Sequence, residues 1–360
     1  METIRPLNLP PEPLTEAARA ADPFLEAKKD LGLCSGFEID SLNHKLPTNE
    51  HLVQNMLAPG SINLLVGDSG VGKSPLAYQL ALAVACGTTF LDLPVRPGKV
   101  LYIDYENHLP DIHWILVQQR KRLGITRIPG TLVVWPLSAS RQEHDVEKTI
   151  RMLAPDLVII DSLRTFSPEM ESDNKVAVAQ IKRLRGVATR DGSAFLLIHH
   201  VRKHLVADGS SLETGFALQW LRRAAGARAL INQTDTRLAF ARREKFAARE
   251  DGSAQLVLSG HFRCRGDVGP YILNRVWDSE GEPMCYERFE ATPSSLANPL
   301  QESAFSRLPQ RFSFKQAQQE INRGPESANW FIQKLIRLGL AQKTGRGQYQ
   351  KVFWVVDRAA

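Results

Sequence analysis

Eight consecutive residues, Gly67, Asp68, Ser69, Gly70, Val71, Gly72, Lys73 and Ser74, have the spacing GxxxxGK[ST]. Glycines at these points let successive backbone N–H groups turn inward on phosphate oxygens. A helix leaving the loop adds its positive end, the lysine reaches the outer phosphates, and the serine hydroxyl can ligate Mg²⁺. The chemistry indicated is binding of ATP with Mg²⁺. Pro75 belongs with this set, because first-turn N–H groups have no intrahelical acceptor to lose and the φ of proline already suits a helix.

Two later apolar runs end in acid: KVLYID, which continues through Asp104 to Glu106, and LVIID, which ends at Asp161. The hydrophobic residues before Asp161 and Ser162 after it make Asp161 the candidate for the magnesium side. Glu106 is then available to orient an attacking water. A second reading has Glu106 as a helix cap or turn residue. Asp104 is the weaker competitor for the base, since alternation puts it on the same face as Glu106 but farther from the strand mouth. A further apolar run, AFLLI, ends in His199 and His200. A polar group there can bond the terminal phosphate and report its loss, which makes His200 the sensor candidate; the competing role is structural.

These residues need a scaffold that brings several strand ends together. From residue 62 onward, short apolar runs (SINLLVG, KVLYIDYEN, TLVVWPL, DLVIID, SAFLLIHH) alternate with helical patterns over 74–86, 109–123, 143–153 and 175–189. Continuous apolar runs suit strands buried on both faces, with helices as crossovers, so the expected fold class is α/β with a parallel sheet. ARALINQ, TRLAFAR, SAQLVLSG and CYERFE then read as antiparallel strands extending it. Metabolite kinases usually lack an extra strand between the P-loop strand and the metal-binding strand, so hydrolysis coupled to motion is favoured over phosphoryl transfer.

Composition narrows the class. In 360 residues, 43% hydrophobic and 23% charged is an ordinary globular balance, which excludes disordered, collagen-like and heptad-repeat chains. Cys34, Cys86, Cys264 and Cys285 lie far apart with no CxxC pair, against both a disulfide framework and a zinc site. The first residues have no apolar segment behind a basic start and no run reaches a membrane span, so a soluble, cytoplasmic protein without membrane contact is expected. Of the net charge of +6, all resides in residues 301–360, which hold ten Lys/Arg against four Asp/Glu. A basic excess confined to a small terminal segment is what a nucleic-acid-binding appendage requires, although a solvated basic face has the same composition. The expected domains are an arm or helical layer at 1–48, the core at 49–290, a linker at 291–301 and a small domain at 302–360.

GDSGVGKS, VLYIDYEN, LVIIDS and LLIHHVRK, in this order and spacing, resemble the RecA-like P-loop ATPase core. The similarity is to the branch containing plasmid-encoded hexameric replicative helicases (RepA-like, AAA-type), over roughly residues 45–290. The resemblance implies a ring, with six subunits favoured and sites shared between neighbours. It further implies Glu106 as base, His200 at the histidine position of the family, and single-stranded DNA passing loops after Asp161 and His200. It also implies a cation donated in trans. Arg243 and Lys245, at the end of TRLAFAR, occupy a similar place, and Arg228 is a further candidate; a solvated basic strand end is the alternative.

Residues 302–357 resemble a winged helix-turn-helix, with helices from 302, at 314–321 and at 326–338, and then two strands around a basic Gly-rich turn. Pro325 at a helix start and Gly339 at its end agree with this. Phe314, Ala317, Ile321, Ala328, Phe331, Ile332, Leu335, Ile336 and Leu338 should face inward, and Trp330 and Trp354 should be core or interface. Ser327, Asn329, Gln333 and Lys334 on the third helix, with Lys343, Arg346 and Lys351 in the wing, are the candidate contacts to duplex DNA. The function expected is an ATP-hydrolysing ring acting on DNA as a helicase or helicase loader in replication; the alternative is an ATP-gated DNA-binding regulator or scaffold.

Overall fold

A computed structural model describes residues 51–137, 143–201, 217–224, 228–243, 255–263, 266–289, 298–338 and 340–351, with Leu212 and Leu296. The expected arm at 1–48, and also Lys245, Gly339 and Trp354, lie outside the described residues. Strand β1 (Ile62–Gly67) is buried along its whole length and runs into helix α1 (Lys73–Cys86). Then follow β2 (Val100–Asp104), α2 (Leu109–Arg122), β3 (Leu132–Trp135), α3 (Glu143–Leu153), β4 (Leu157–Asp161), the short α4 (Leu163–Phe166), α5 (Asn174–Asp191) and β5 (Ala194–His200).

After β5 come two short helices, α6 (Ala217–Trp220) and α7 (Arg228–Gln233), and four strands: β6 (Thr236–Arg242), β7 (Gln255–Phe262), β8 (Gly266–Trp277) and β9 (Pro283–Arg288). Nine strands form one sheet in the order β3-β2-β4-β5-β1-β6-β7-β8-β9. The first six are parallel to their neighbours, and β7 to β9 continue antiparallel. The fold is therefore α/β with a large, mostly parallel sheet, as expected. The strand separating β1 from β4 is β5, whose last residue is His200.

The strands read as unbroken apolar runs because both faces are covered. Leu65, Leu196, Ile198, Ile159 and Tyr102 pack on α1, whereas Leu64, Val66, Leu197, Ile160 and Ile103 pack with α5 residues such as Ile181 and Leu184. Helix α1 is apolar nearly all round, and ten of its residues, from Lys73 to Val84, are buried. This anchors the segment that presents the phosphate-loop signature.

Two expectations are corrected, and one strand is additional. ARALINQ is not a strand: Arg228–Gln233 is helix α7, its N-terminus capped by the Asn174 side chain, which accepts from the Ala229 N–H at 3.2 Å. A short apolar run carries too little periodicity to separate the two states. Strand β6 pairs parallel, not antiparallel, with β1, in the register Gly67 to Phe240. The longest strand, β8, was not anticipated, because Gly269 and Pro270 interrupt its pattern.

The C-terminal unit has its own apolar cluster around Phe312, Phe331, Ile332 and Leu335. Its elements are α8 (Pro299–Arg307), β10 (Arg311–Ser313), α9 (Phe314–Ile321), α10 (Pro325–Arg337), β11 (Ala341–Gly345) and β12 (Gln348–Lys351), with a three-stranded antiparallel sheet ordered β10-β12-β11. Helix α9 opens on a capping box in which Ser313 and Gln316 satisfy each other's backbone N–H groups. The expected inward residues are buried or partly buried, all but Ala328 in this cluster. Trp330 is not among them; it is 51% exposed.

Candidate functional site

The site is assembled where β2, β4, β5 and β1 end on one edge of the sheet. Register alone sets much of it: Gly67 pairs with His200 on one side and Phe240 on the other, and Asp104 lies opposite Asp161. Between β1 and α1 the loop turns through Gly70 and Gly72, both with positive φ (73° and 101°). Gly70 faces open space, so the crest of the loop is free to receive a ligand. Asp68, Ser69 and Gly70 are exposed, whereas Val71 is buried and so offers a ligand only its backbone. Pro75 sits in the first helical turn as expected, and its carbonyl accepts from the Gln119 amide at 2.7 Å.

Lys73 is buried, and its Nζ donates to the carbonyls of Gly67 (3.0 Å) and Asp68 (2.7 Å). It also lies 3.3 Å from His200 Nδ1, and His200 Nε2 lies 3.3 Å from Glu106 Oε1. An ammonium has only donors, so Nδ1 accepts from it and the ring proton sits on Nε2, donated to the Glu106 carboxylate. One chain of contacts thus joins P-loop lysine, strand-end histidine and glutamate. Burial lowers the Lys73 pKa, opposed by the nearby Asp161, Glu106 and Asp68 carboxylates.

The two carboxylates are tuned in opposite directions. The hydrogen bond from His200 takes Glu106 down to about 2 against partial burial, helped by the Ser162 hydroxyl and the Lys73 charge. Glu106 is therefore ionised at any physiological pH. Burial raises Asp161 to about 6, offset in part by hydrogen bonds from Ser74 and Tyr102 and reinforced by Asp104 and Glu106. Tyr102 donates to Asp161 Oδ2 at 2.8 Å, and its ring stacks on Tyr78 with centroids 3.9 Å apart.

Asp104 has the role that sequence reasoning missed. Fully buried, it accepts at Oδ1 from the N–H groups of Glu106 and Asn107 (2.8 Å each) and at Oδ2 from the Tyr78 hydroxyl (2.7 Å) and the Asn107 amide (2.9 Å). A carboxylate folding the two residues after it into a turn is an Asx motif, and here it stops β2 and swings Glu106 toward His200. The D-x-x-N spacing after an apolar run was the available signal.

The donor set fits Mg²⁺. A serine hydroxyl bonded to a buried carboxylate supplies hard oxygen ligands beside a phosphate cradle. Ser74 and Asp161 would hold Mg²⁺, which would neutralise phosphate charge when bound.

The raised Asp161 sets a pH dependence. The folded carboxyl (about 6) ionises after the unfolded one (3.8), so between these values rising pH removes stability, while ionisation above 6 is what Mg²⁺ needs. Apparent Mg²⁺ affinity should be about fourfold weaker at pH 5.5 than at 7.5, the ratio of ionised fractions. A Mg²⁺ titration of nucleotide binding at the two pH values checks this, and equal affinities refute it.

Other expected residues are placed differently. Arg243 is 3% exposed, its Nη1 donating to Gln255 Oε1 at 2.5 Å and its N–H to the Gln255 carbonyl at 3.0 Å. It packs against Gln255 within its own chain, whereas Arg228 is exposed at the start of α7. Ser327 and Asn329 on α10, with Lys343 and Arg346 in the β11–β12 hairpin, are exposed as expected, and Gln333 is half-buried. Lys334 and Lys351 are corrected. Lys334 Nζ donates to the Leu296 carbonyl and to Gln301 Oε1 and lies 5.3 Å from the Trp330 ring centroid. Lys351, 6% exposed, donates to the Ser306 carbonyl at 3.2 Å above the Phe305 ring, and burial lowers its pKa. Both amines find carbonyl acceptors at the α8 side, and their stems lie along apolar surface.

Comparison with known proteins gives three findings. Residues 29–205, just under half of the chain, match the family described as AAA domain (AAA_25). The DNA repair protein RadA of Halalkalibacterium halodurans is 29% identical over 210 residues, covering 56% of this chain and 37% of that protein. RadA of Mycobacterium tuberculosis is 28% identical over 228 residues, covering 61% and 38%. The chain thus spans little more than a third of the length of these two relatives. The crystal structure of the RadB recombinase aligns with a TM-score of 0.43 at 19% identity, covering 70% of this chain and 96% of that one. Among the described residues no helix is long and apolar enough to cross a membrane.

Proposed function

We propose that this chain is a Mg²⁺-dependent ATPase that acts on DNA. The observation that carries the reading is the contact chain Lys73, His200, Glu106, held at the sheet edge beside Ser74 and Asp161. In this reading the loop from Gly67 to Ser74 binds the phosphates and Lys73 leaves the Gly67 and Asp68 carbonyls for the outer phosphate oxygens. Ionised Glu106 accepts the proton of the attacking water. His200, touching both Lys73 and Glu106, registers whether the outer phosphate is present.

DNA as partner is supported by the similarity to DNA repair proteins named RadA and by the basic C-terminal unit. The order helix, strand, helix, helix, strand, strand at 299–351 suits a winged helix-turn-helix that offers Ser327 and Asn329 to base edges and Lys343 and Arg346 to phosphates. We assign the chain to a ring-forming assembly, six subunits favoured, with helicase or helicase-loader activity in replication; Lys245 and the exposed Arg228 are the candidate cations in trans.

The test is ATP hydrolysis with no DNA, single-stranded DNA and duplex DNA at fixed salt, with a mass measurement in nucleotide. Stimulation by DNA supports the reading; slow, DNA-insensitive turnover by a DNA-binding protein favours a nucleotide-gated regulator. Removing both wing cations, Lys343→Ala with Arg346→Ala, should weaken duplex binding uniformly across sequences. It should also reduce the salt slope by about 2, one for each phosphate contact. An unchanged slope counts against wing contacts.

A further inference from the structure

The phosphate-loop signature holds two glycines crowded by other strands, one by the neighbouring β6 and one by β9 at the far edge of the sheet. A side chain at Gly67 would run into the Phe240 carbonyl of β6, and one at Gly72 would run into the Tyr286 hydroxyl of β9. The two intruding residues also touch each other, their rings meeting edge to face at 5.6 Å.

Tyr286 is fixed on every side. It is 1% exposed, and the Gln79 side chain of α1 bonds its backbone twice, accepting from its N–H and donating to its carbonyl, each at 2.8 Å. From this seat the phenol donates to the Gly72 carbonyl at 3.2 Å. That carbonyl also accepts the Leu76 N–H at 3.2 Å, the first bond of α1. A peptide unit is planar, so fixing the Gly72 carbonyl fixes the Lys73 N–H on the opposite side of the same plane. The Lys73 N–H is a first-turn donor at the positive end of α1 and has no intrahelical acceptor.

We propose that Tyr286 is a positioning residue for the phosphate-binding loop, its hydroxyl orienting the Gly72–Lys73 peptide so that the Lys73 N–H meets a phosphate. This rests on the reading of the loop as a triphosphate site. It adds a residue more than two hundred positions away, on the antiparallel extension, to the parts that determine phosphate affinity.

The experiment uses the full chain and three variants: Tyr286→Phe, Gly72→Ala and the two combined. Tyr286→Phe keeps the ring and the Gln79 contacts, and the Gly72 carbonyl retains the Leu76 N–H, so the fold should survive with a melting temperature within a few degrees of wild type. Calorimetric affinities for ATP and for inorganic tripolyphosphate, both with Mg²⁺, should fall together by about three- to tenfold, the cost of one hydrogen bond. Turnover at saturating ATP should stay within twofold. Binding unchanged in Tyr286→Phe overturns the proposal, as does a loss seen with ATP and not with tripolyphosphate, which would mean a contact to the nucleoside.

Gly72→Ala should lower the melting temperature, and adding Tyr286→Phe should restore part of it. The oxygen in the path of the new methyl is then gone, and Cζ at 3.2 Å becomes the nearest atom. A double variant no more stable than Gly72→Ala overturns the contact. Wild-type protein that binds neither ATP nor tripolyphosphate overturns the nucleotide reading itself, a failure distinguished by its presence before any substitution.

Discussion

Glu106→Gln should bind ATP within about threefold of wild type and lose turnover by about 10²- to 10⁴-fold, the usual contribution of a positioned general base. Glutamine keeps the length and the acceptor toward His200 Nε2, and the turn that Asp104 makes uses only the backbone N–H of residue 106. What is lost is the ability to take a proton. Because wild-type Glu106 titrates at about 2, its ionisation imposes no acid limb on turnover above pH 4. Single-turnover hydrolysis beside calorimetric ATP binding measures both halves; turnover within tenfold of wild type would remove Glu106 from the chemistry.

Asp104→Ala should be the most damaging change to stability in the site. It deletes the acceptor for four hydrogen bonds and leaves the Tyr78 hydroxyl, two backbone N–H groups and the Asn107 amide facing a cavity where Asp104 is fully buried. Unsatisfied buried donors cost about 1–3 kcal/mol each, and partial rearrangement limits the sum to about 3–5 kcal/mol. Melting should fall by on the order of 10 °C. Turnover should fall as well, since nothing then holds residues 106 and 107 in their turn. Asp104→Asn keeps one acceptor oxygen but presents an amide to donors, so it should fall between. A thermal melt within 2 °C of wild type for Asp104→Ala would show that the turn stands without it.

What was legible in the sequence was local. The phosphate loop, its strand and its helix are contiguous, and helix 143–153 and strand 157–161 carry their own apolar patterns. The residues misread were those whose partners lie on other elements. Asp104 is explained by Tyr78 and Asn107, and Tyr286 by Gly72 and Gln79. Lys334 and Lys351 have the composition of a DNA-facing surface, yet a lysine stem is apolar enough to lie on Trp330 or Phe305 while its amine seeks a carbonyl. Alternation also says nothing about pairing direction, which is why β6 was expected antiparallel. Arg243 looked like an exposed cation at a strand end, but Gln255 on the adjacent strand draws it in.

The glycines at 67 and 72 have a bearing on descent. Their lack of a side chain is enforced by a carbonyl and a phenol of this chain itself, whether or not a triphosphate is ever bound. A lineage that abandoned catalysis but retained the sheet would still be selected to keep both, and would go on displaying half of the signature. Lys73 and Ser74, which no such crowding protects, are the positions where decay would first be visible.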